Sequence, residues 1–282
     1  MNRSRGQVVP APSPVPPVTT IDDVVAALDD IISWSVSTPS RLGYFAALYK
    51  RITLAVGAAI ERGYFDDGPR MERLDVAFAA RYFEAFNGYH HPGTFSKPTR
   101  SWRITFDHAP DPAPIMVQHM LAGITAHIVL DLGIAAVEVA GRRGLRDIER
   151  DFTTINAVLA SQVNGVVDDI NELSPALAEI YTVLKQNQIF AINEAIKVLR
   201  DSAWRFALLL AVEPGFARGP TILARDLVVA RQCLAVFDPT GVVGVLDSAV
   251  TRIAARESRG VAHNVEVLAD VAATPAPIET EL

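Results

Sequence analysis

The run HMLAGITAHIVLDLGIAAVEVAG, residues 119–141, is apolar enough to cross a membrane or to form the core helix of a larger fold. It nevertheless carries His119, His127, Asp131 and Glu138. Residues 120–137 have just the length a bilayer requires. In a bilayer, however, His127 and Asp131 would sit near the centre, where an aspartate costs about 2.5–3.5 kcal/mol. No second segment of similar character is available to pair with them. The sequence therefore predicts no membrane span but a buried central helix in a helical bundle.

The rest of the chain supports that setting. Half of the 282 residues are hydrophobic and mean hydropathy is +0.22, while aromatics contribute only 7 %, so Ala, Val, Leu and Ile must fill the interior. Helical periodicity runs nearly throughout. TTIDDVVAALDDIISWSV opens with a threonine cap and first-turn aspartates, and DDGPRMERLDVAFAARYFEAF places Pro69 at a helix start, with Asp66 and Asp67 leading in. Further helices are expected over residues 145–173, 176–184, 187–212, 221–236 and 241–257. Residues 88–112 read as the longest irregular stretch, with a short extended piece inside TFSKPTRSWRITFDH. The prediction is an all-α single multi-helix bundle, with about seven to nine helices around a buried central helix. It is expected to occupy residues 20–258, between a disordered Pro-rich tail over 1–19 and a flexible C-terminal tail over 259–282.

Charge and motifs exclude several classes. The net charge is -6 and the longest basic run is Arg142–Arg143, so no nucleic-acid partner is expected. The one cysteine, Cys233, excludes an internal disulfide and a thiolate cluster, and its apolar surroundings suit a buried residue. The N-terminal run has five prolines and no apolar signal core, which leads to a cytoplasmic expectation. Neither a P-loop, a dinucleotide fingerprint nor a serine elbow is present, so no nucleotide cofactor is expected. Oligomeric state is not encoded in any of these features.

The candidate site comes from polar residues on apolar faces. With about 100° per residue, His127, Asp131 and Glu138 fall within roughly 40° of arc, and His127 and Asp131 are one turn apart. His119 lies about 12 Å away along the axis, too far to share an ion with His127. Asp75 lies within the stripe Met71, Leu74, Phe78, Tyr82, Ala85 and Phe86, and Arg200 within Ile189, Ile196, Ala203 and Ala207. Buried charges need partners, a metal or a wet pocket. His127, Asp131, Asp75 and Arg200 are therefore taken as a convergent catalytic cluster acting on a small hydrophobic molecule. Such a cluster supports metal-assisted hydrolysis, with His127 and Asp131 as ligands of a divalent metal, or metal-free acid/base chemistry of a cyclase, isomerase or lyase. It also suits a non-catalytic binding or interaction protein in which the polar groups satisfy one another. His90, His91 and His108 are loop residues able to complete a metal shell, and His263 lies in the expected tail.

GYFDDGPRMERLDVAFAARYFEAF, QHMLAGITAHIVLDLGIAA, DFTTINAVL and RDSAWRFALLL together resemble the domain-of-unknown-function family number 5995 over roughly residues 40–240. The family-like positions are Asp67, Gly68, Met71, Arg73, Asp75, Arg81, Trp102, His119, Gly123, His127, Asp131, Asp151, Asn156, Arg200 and Trp204. The resemblance thus adds His119, Trp102, Trp204, Asp151 and Asn156 as substrate-binding candidates. Thr125 and Val129 stand where the family pattern carries asparagines, which removes two amides beside the cluster. The family name implies no activity. GITAHIVLD also looks like the Gly-xxx-His-xxx-Asp metal helix of zinc-dependent phospholipases C, without their additional histidines or N-terminal tryptophan.

Overall fold

A computed structural model describes residues 10–174, 188–238, 251 and 253–278. These contain nine helices of eight residues or longer and no strand. They are α1 (Ile21–Ser37), α2 (Leu42–Glu61), α3 (Gly68–His90), α4 (Arg100–Asp107), α5 (Met116–Gly141), α6 (Glu149–Leu173), α7 (Gln188–Val212), α8 (Gly215–Phe237) and α9 (Val261–Ala272). The helices expected over 176–184 and most of 241–257 lie outside the described residues.

Local chemistry starts the helices where the sequence places them. Thr20 accepts from the Asp23 amide while the Asp23 carboxylate accepts from the Thr20 amide, a reciprocal capping box that opens α1. Asp67 accepts from the Arg70 amide at the start of α3, with Pro69 in its first turn. The central helix is α5. It has the length and composition of a membrane span, yet 78 % of its most apolar stretch is buried inside the fold. It packs against α2, α3, α4, α7 and α8. Glycines permit the closest approaches: a Cβ on Gly133 would lie 2.8 Å from the Ala203 carbonyl oxygen of α7, and one on Gly123 would lie 2.5 Å from the Phe45 ring of α2.

Three expectations need correction, and each fails for a long-range reason. Residues 10–19 of the Pro-rich segment are tied to the fold: Asn87 pairs with both the N–H and the carbonyl of Val15, and Trp34 Nε1 donates to the Pro10 carbonyl. An extended proline-rich strand lacks internal hydrogen bonds, so side chains of α1 and α3 satisfy it instead. The piece expected to be extended within 94–108 contains α4. Its first amides, at Arg100 and Ser101, donate to the carboxylate of Asp226 on α8, a cap supplied from 126 residues away. Finally, the domain does not end at residue 258. Val261, Val265, Leu268 and Ala272 form the buried stripe of α9, which packs against α1 and α2.

Gly133→Ala should force α5 and α7 apart, because the obstacle is backbone rather than a flexible side-chain tip. The expected cost is about 1–3 kcal/mol. Thermal denaturation should register it as a drop of roughly 3–10 °C.

Candidate functional site

Within α5 the hydrogen-bond ladder changes pitch. Residues His127–Asp131 form a π turn, closed by the Leu132 amide donating to the His127 carbonyl five residues back. The wider turn brings residues four apart nearly into line, and such turns are common at functional positions. His127 Nδ1 lies 3.3 Å from Asp131 Oδ2. Within the same turn the Val129 carbonyl accepts from Arg225 Nε of α8 at 3.1 Å, and Arg225 Nη2 also reaches Ser202 Oγ at 2.7 Å.

Asp131 is 1 % exposed and accepts from three directions. Arg81 Nε of α3 donates to Oδ1 at 3.1 Å, and Trp102 Nε1 of α4 donates to Oδ2 at 2.7 Å. The third donor is His127 Nδ1. Arg81 also reaches the half-exposed Glu138, its Nη1 lying 3.8 Å from Oε1. Aromatic rings enclose the His127 side chain. Phe78 stacks on it at 3.5 Å with 7° between planes, Tyr49 meets it edge-on at 4.7 Å, and Phe45, Tyr82 and Trp102 complete the surround. Burial holds its pKa below the ordinary histidine value, against the opposing pull of Asp131. The ring is thus neutral at pH 7, with its proton on Nδ1 and a lone pair on Nε2. His127 Nε2 has no hydrogen-bond partner among the described residues, and neither does Asp75 Oδ2 or the Tyr49 hydroxyl, both also buried. Burial, then the charge of Glu72, raises the Asp75 carboxyl to about 7. The Tyr49 hydroxyl is pushed well up by burial and then by Asp75 and Asp131.

The other candidates fall elsewhere. Arg200 is buried but makes no ion pair with Asp131 or Asp75. Its Nη2 donates to the Phe152 carbonyl, and its guanidinium lies 4.4 Å over the Phe152 ring. Trp204 packs against that ring at 4.8 Å, and Asn156 Oδ1, on α6 with Phe152, is buried without a partner among the described residues. Asp151 accepts from the amides of Asp66 and Asp67 and so fixes the turn before α3, which corrects its reading as a ligand contact. The convergent cation is Arg81, not Arg200. The α3 stripe contained the signal, since Arg81 follows Leu74 by seven residues and Phe78 by three. Tyr49 was missed because a tyrosine on an apolar face reads as core. His119 is buried with Nε2 unpartnered, but it lies apart from His127, in a small void lined also by Phe45, Tyr82 and Trp102.

The donor set does not suit the expected metal. Both Asp131 oxygens already accept hydrogen bonds, one from a guanidinium that would repel a divalent cation. Among the described residues no three His, Cys, Asp or Glu side chains form a metal-ligating group. His90 lies between Trp34 and Phe86, His91 bonds the Pro12 carbonyl, and His108 stacks on Phe237.

Two measurements follow from this geometry. Arg81→Met leaves Asp131 buried without its cation and should lower stability by on the order of 3 kcal/mol in urea titration. Asp75 contributes a pH-dependent term. Its folded pKa near 7 exceeds the unfolded value near 4, so the wild type loses stability as pH rises through that window. His90 and His119, both held down to about 4 by burial, act in the opposite sense, losing stability as pH falls from 6.5. The difference between Asp75→Asn and wild type isolates Asp75: it should grow in favour of the variant, by a few kcal/mol, between pH 4 and 8.

Comparison with curated proteins and with solved structures returns no match, so the likeness to zinc-dependent phospholipases C finds no support. The profile of one family matches residues 21–239, which include α1 through α8 and every side chain around Asp131. The chain belongs to that family, the family of unknown function DUF5995.

Proposed function

We propose that the chain is a metal-free acid/base enzyme of the cyclase, isomerase or lyase type, acting on a mainly apolar small molecule. His127 is the proton-transfer base. Asp131 orients it through Nδ1, and Arg81 with Trp102 holds Asp131 in place. Asp75, titrating near neutrality in its buried position, is the second proton carrier. The observation that carries this reading is the partnerless Nε2 on a ring whose other nitrogen is fixed by a buried, triply bonded carboxylate. Enzymes hold an imidazole in one tautomer by the same means. The reading is preferred to metal-assisted hydrolysis because the Asp131 oxygens are already engaged. His127 is 2 % exposed, so a substrate must displace an aromatic neighbour, Phe78 or Tyr49, to reach it.

A generic proton-transfer probe tests this without knowledge of the natural substrate. Removal of the C3 proton of 5-nitrobenzisoxazole breaks its N–O bond and releases a coloured cyanophenolate. Wild-type protein should accelerate the reaction, and His127→Ala should lose about 10²-fold or more of that rate. Chelator should have no effect. Because the basic form of His127 persists below pH 6.5, its own titration should lower the rate only at lower pH, and any change of rate between pH 8 and 6.5 should disappear in Asp75→Asn. A wild-type rate no better than free imidazole, alongside a destabilised His127→Ala, would assign the cluster to holding α3, α4 and α5 together.

A further inference from the structure

A cavity of about 330 Å³ opens where the segment before α5 meets the start of α2, Thr251 and residues 254–261. Its lining is divided in character. Tyr44, Ile115, Met116 and Val261 provide apolar wall, while Arg41, Arg259 and Glu257 provide charge. With two guanidinium groups against one carboxylate, the lining has a net charge of +1 when all three are ionised. Glu257 is already engaged on one side, where Oε2 accepts from the Met116 amide at 2.9 Å and caps α5. Arg41 makes no direct ion pair among the described residues: Nη1 donates to the Ala109 carbonyl at 3.2 Å, and Glu257 acts on it only from a longer range across the cavity.

Arg41 also lines the small void that holds His119, so the two spaces share one side chain. His119 is 4 % exposed and its Nε2 lacks a partner among the described residues, so a buried ring nitrogen is left unsatisfied on a residue that lines the void. A buried polar atom in that condition is costly unless a water or a ligand group reaches it. Phe45, Tyr82 and Trp102 form the remaining wall, and these three rings also contact His127.

We propose that this cavity binds a small monocarboxylate with an apolar body, its carboxylate on Arg41 and its hydrocarbon against Tyr44, Ile115, Met116 and Val261. A partly buried guanidinium without a direct ion pair is suited to a carboxylate, and the volume fits a body of about eight to ten carbons. The net positive lining selects one negative charge, and Glu257 disfavours a second. The site stands independently of the reaction assigned to His127.

Titration calorimetry with octanoate, octanol and octylamine tests the site on the full chain. Octanoate should bind with one-to-one stoichiometry, and octanol and octylamine at least tenfold more weakly. Arg41→Gln should weaken octanoate at least tenfold and leave octanol unchanged. Ala113→Trp, at an exposed position on the cavity wall, should abolish octanoate binding without touching the core. His127→Ala should bind octanoate as wild type does, so loss of the proton-transfer activity and loss of this site are read separately. Equal affinity for octanoate and octanol, no octanoate binding by wild type, or full affinity in Arg41→Gln or Ala113→Trp would each overturn the proposal.

Discussion

The described architecture around α5 depends on one buried carboxylate. Asp131 is held by a guanidinium from α3, an indole from α4 and an imidazole from its own turn, so three helices are fixed by a single pair of oxygen atoms. Burying the charge is unfavourable, and the geometry must repay it with good hydrogen bonds on both oxygens. Each donor in turn requires its helix to be in register. Apolar packing of Phe45, Phe78, Tyr82 and Phe106 would tolerate some sliding of α3 and α4 along α5. The directional bonds to Asp131 do not.

The π turn is part of the same device. It brings His127 above Asp131, and its altered ladder is met from outside by Arg225 of α8, which is itself tied to Ser202 of α7. The two sides of α5 therefore do different work. One faces α3 and α4 and carries the proton-bearing groups. The other faces α7 and α8, approaches α7 through Gly133, and receives Arg225 on the Val129 carbonyl.

Much of this is written locally in the chain. The pairing of His127 with Asp131, the inward position of Asp75 and the core status of residues 119–141 follow from helical spacing alone. What spacing cannot supply is the partner across a helix–helix boundary. Arg81 and Arg200 both lie on apolar stripes, and nothing in periodicity tells which one meets Asp131. The same limit explains α4, whose cap sits on α8, and the proline-rich segment, whose hydrogen bonds come from Asn87. The last helix, α9, was legible in the 4-3-4 spacing of Val261, Val265, Leu268 and Ala272. It was overlooked because its short length and nearby Pro-rich end resembled a tail. The π turn has no simple sequence marker, since the difference between i+4 and i+5 closure arises from the neighbours that stabilise it.

A π turn holds one residue more than the α turn it replaces, so it absorbs that residue without turning the helix beyond it. Removing a residue between His127 and Asp131 would restore an ordinary ladder and leave the two halves of α5 in their present relation, with Gly133 still against α7 and Glu138 still beside Arg81. What would change is local: His127 and Asp131 would stand three residues apart instead of four, and the carbonyl that meets Arg225 would shift with them. Insertions and deletions are commonly absorbed in loops; here the midpoint of the most buried helix can absorb one, at the expense of its polar cluster and not of its packing.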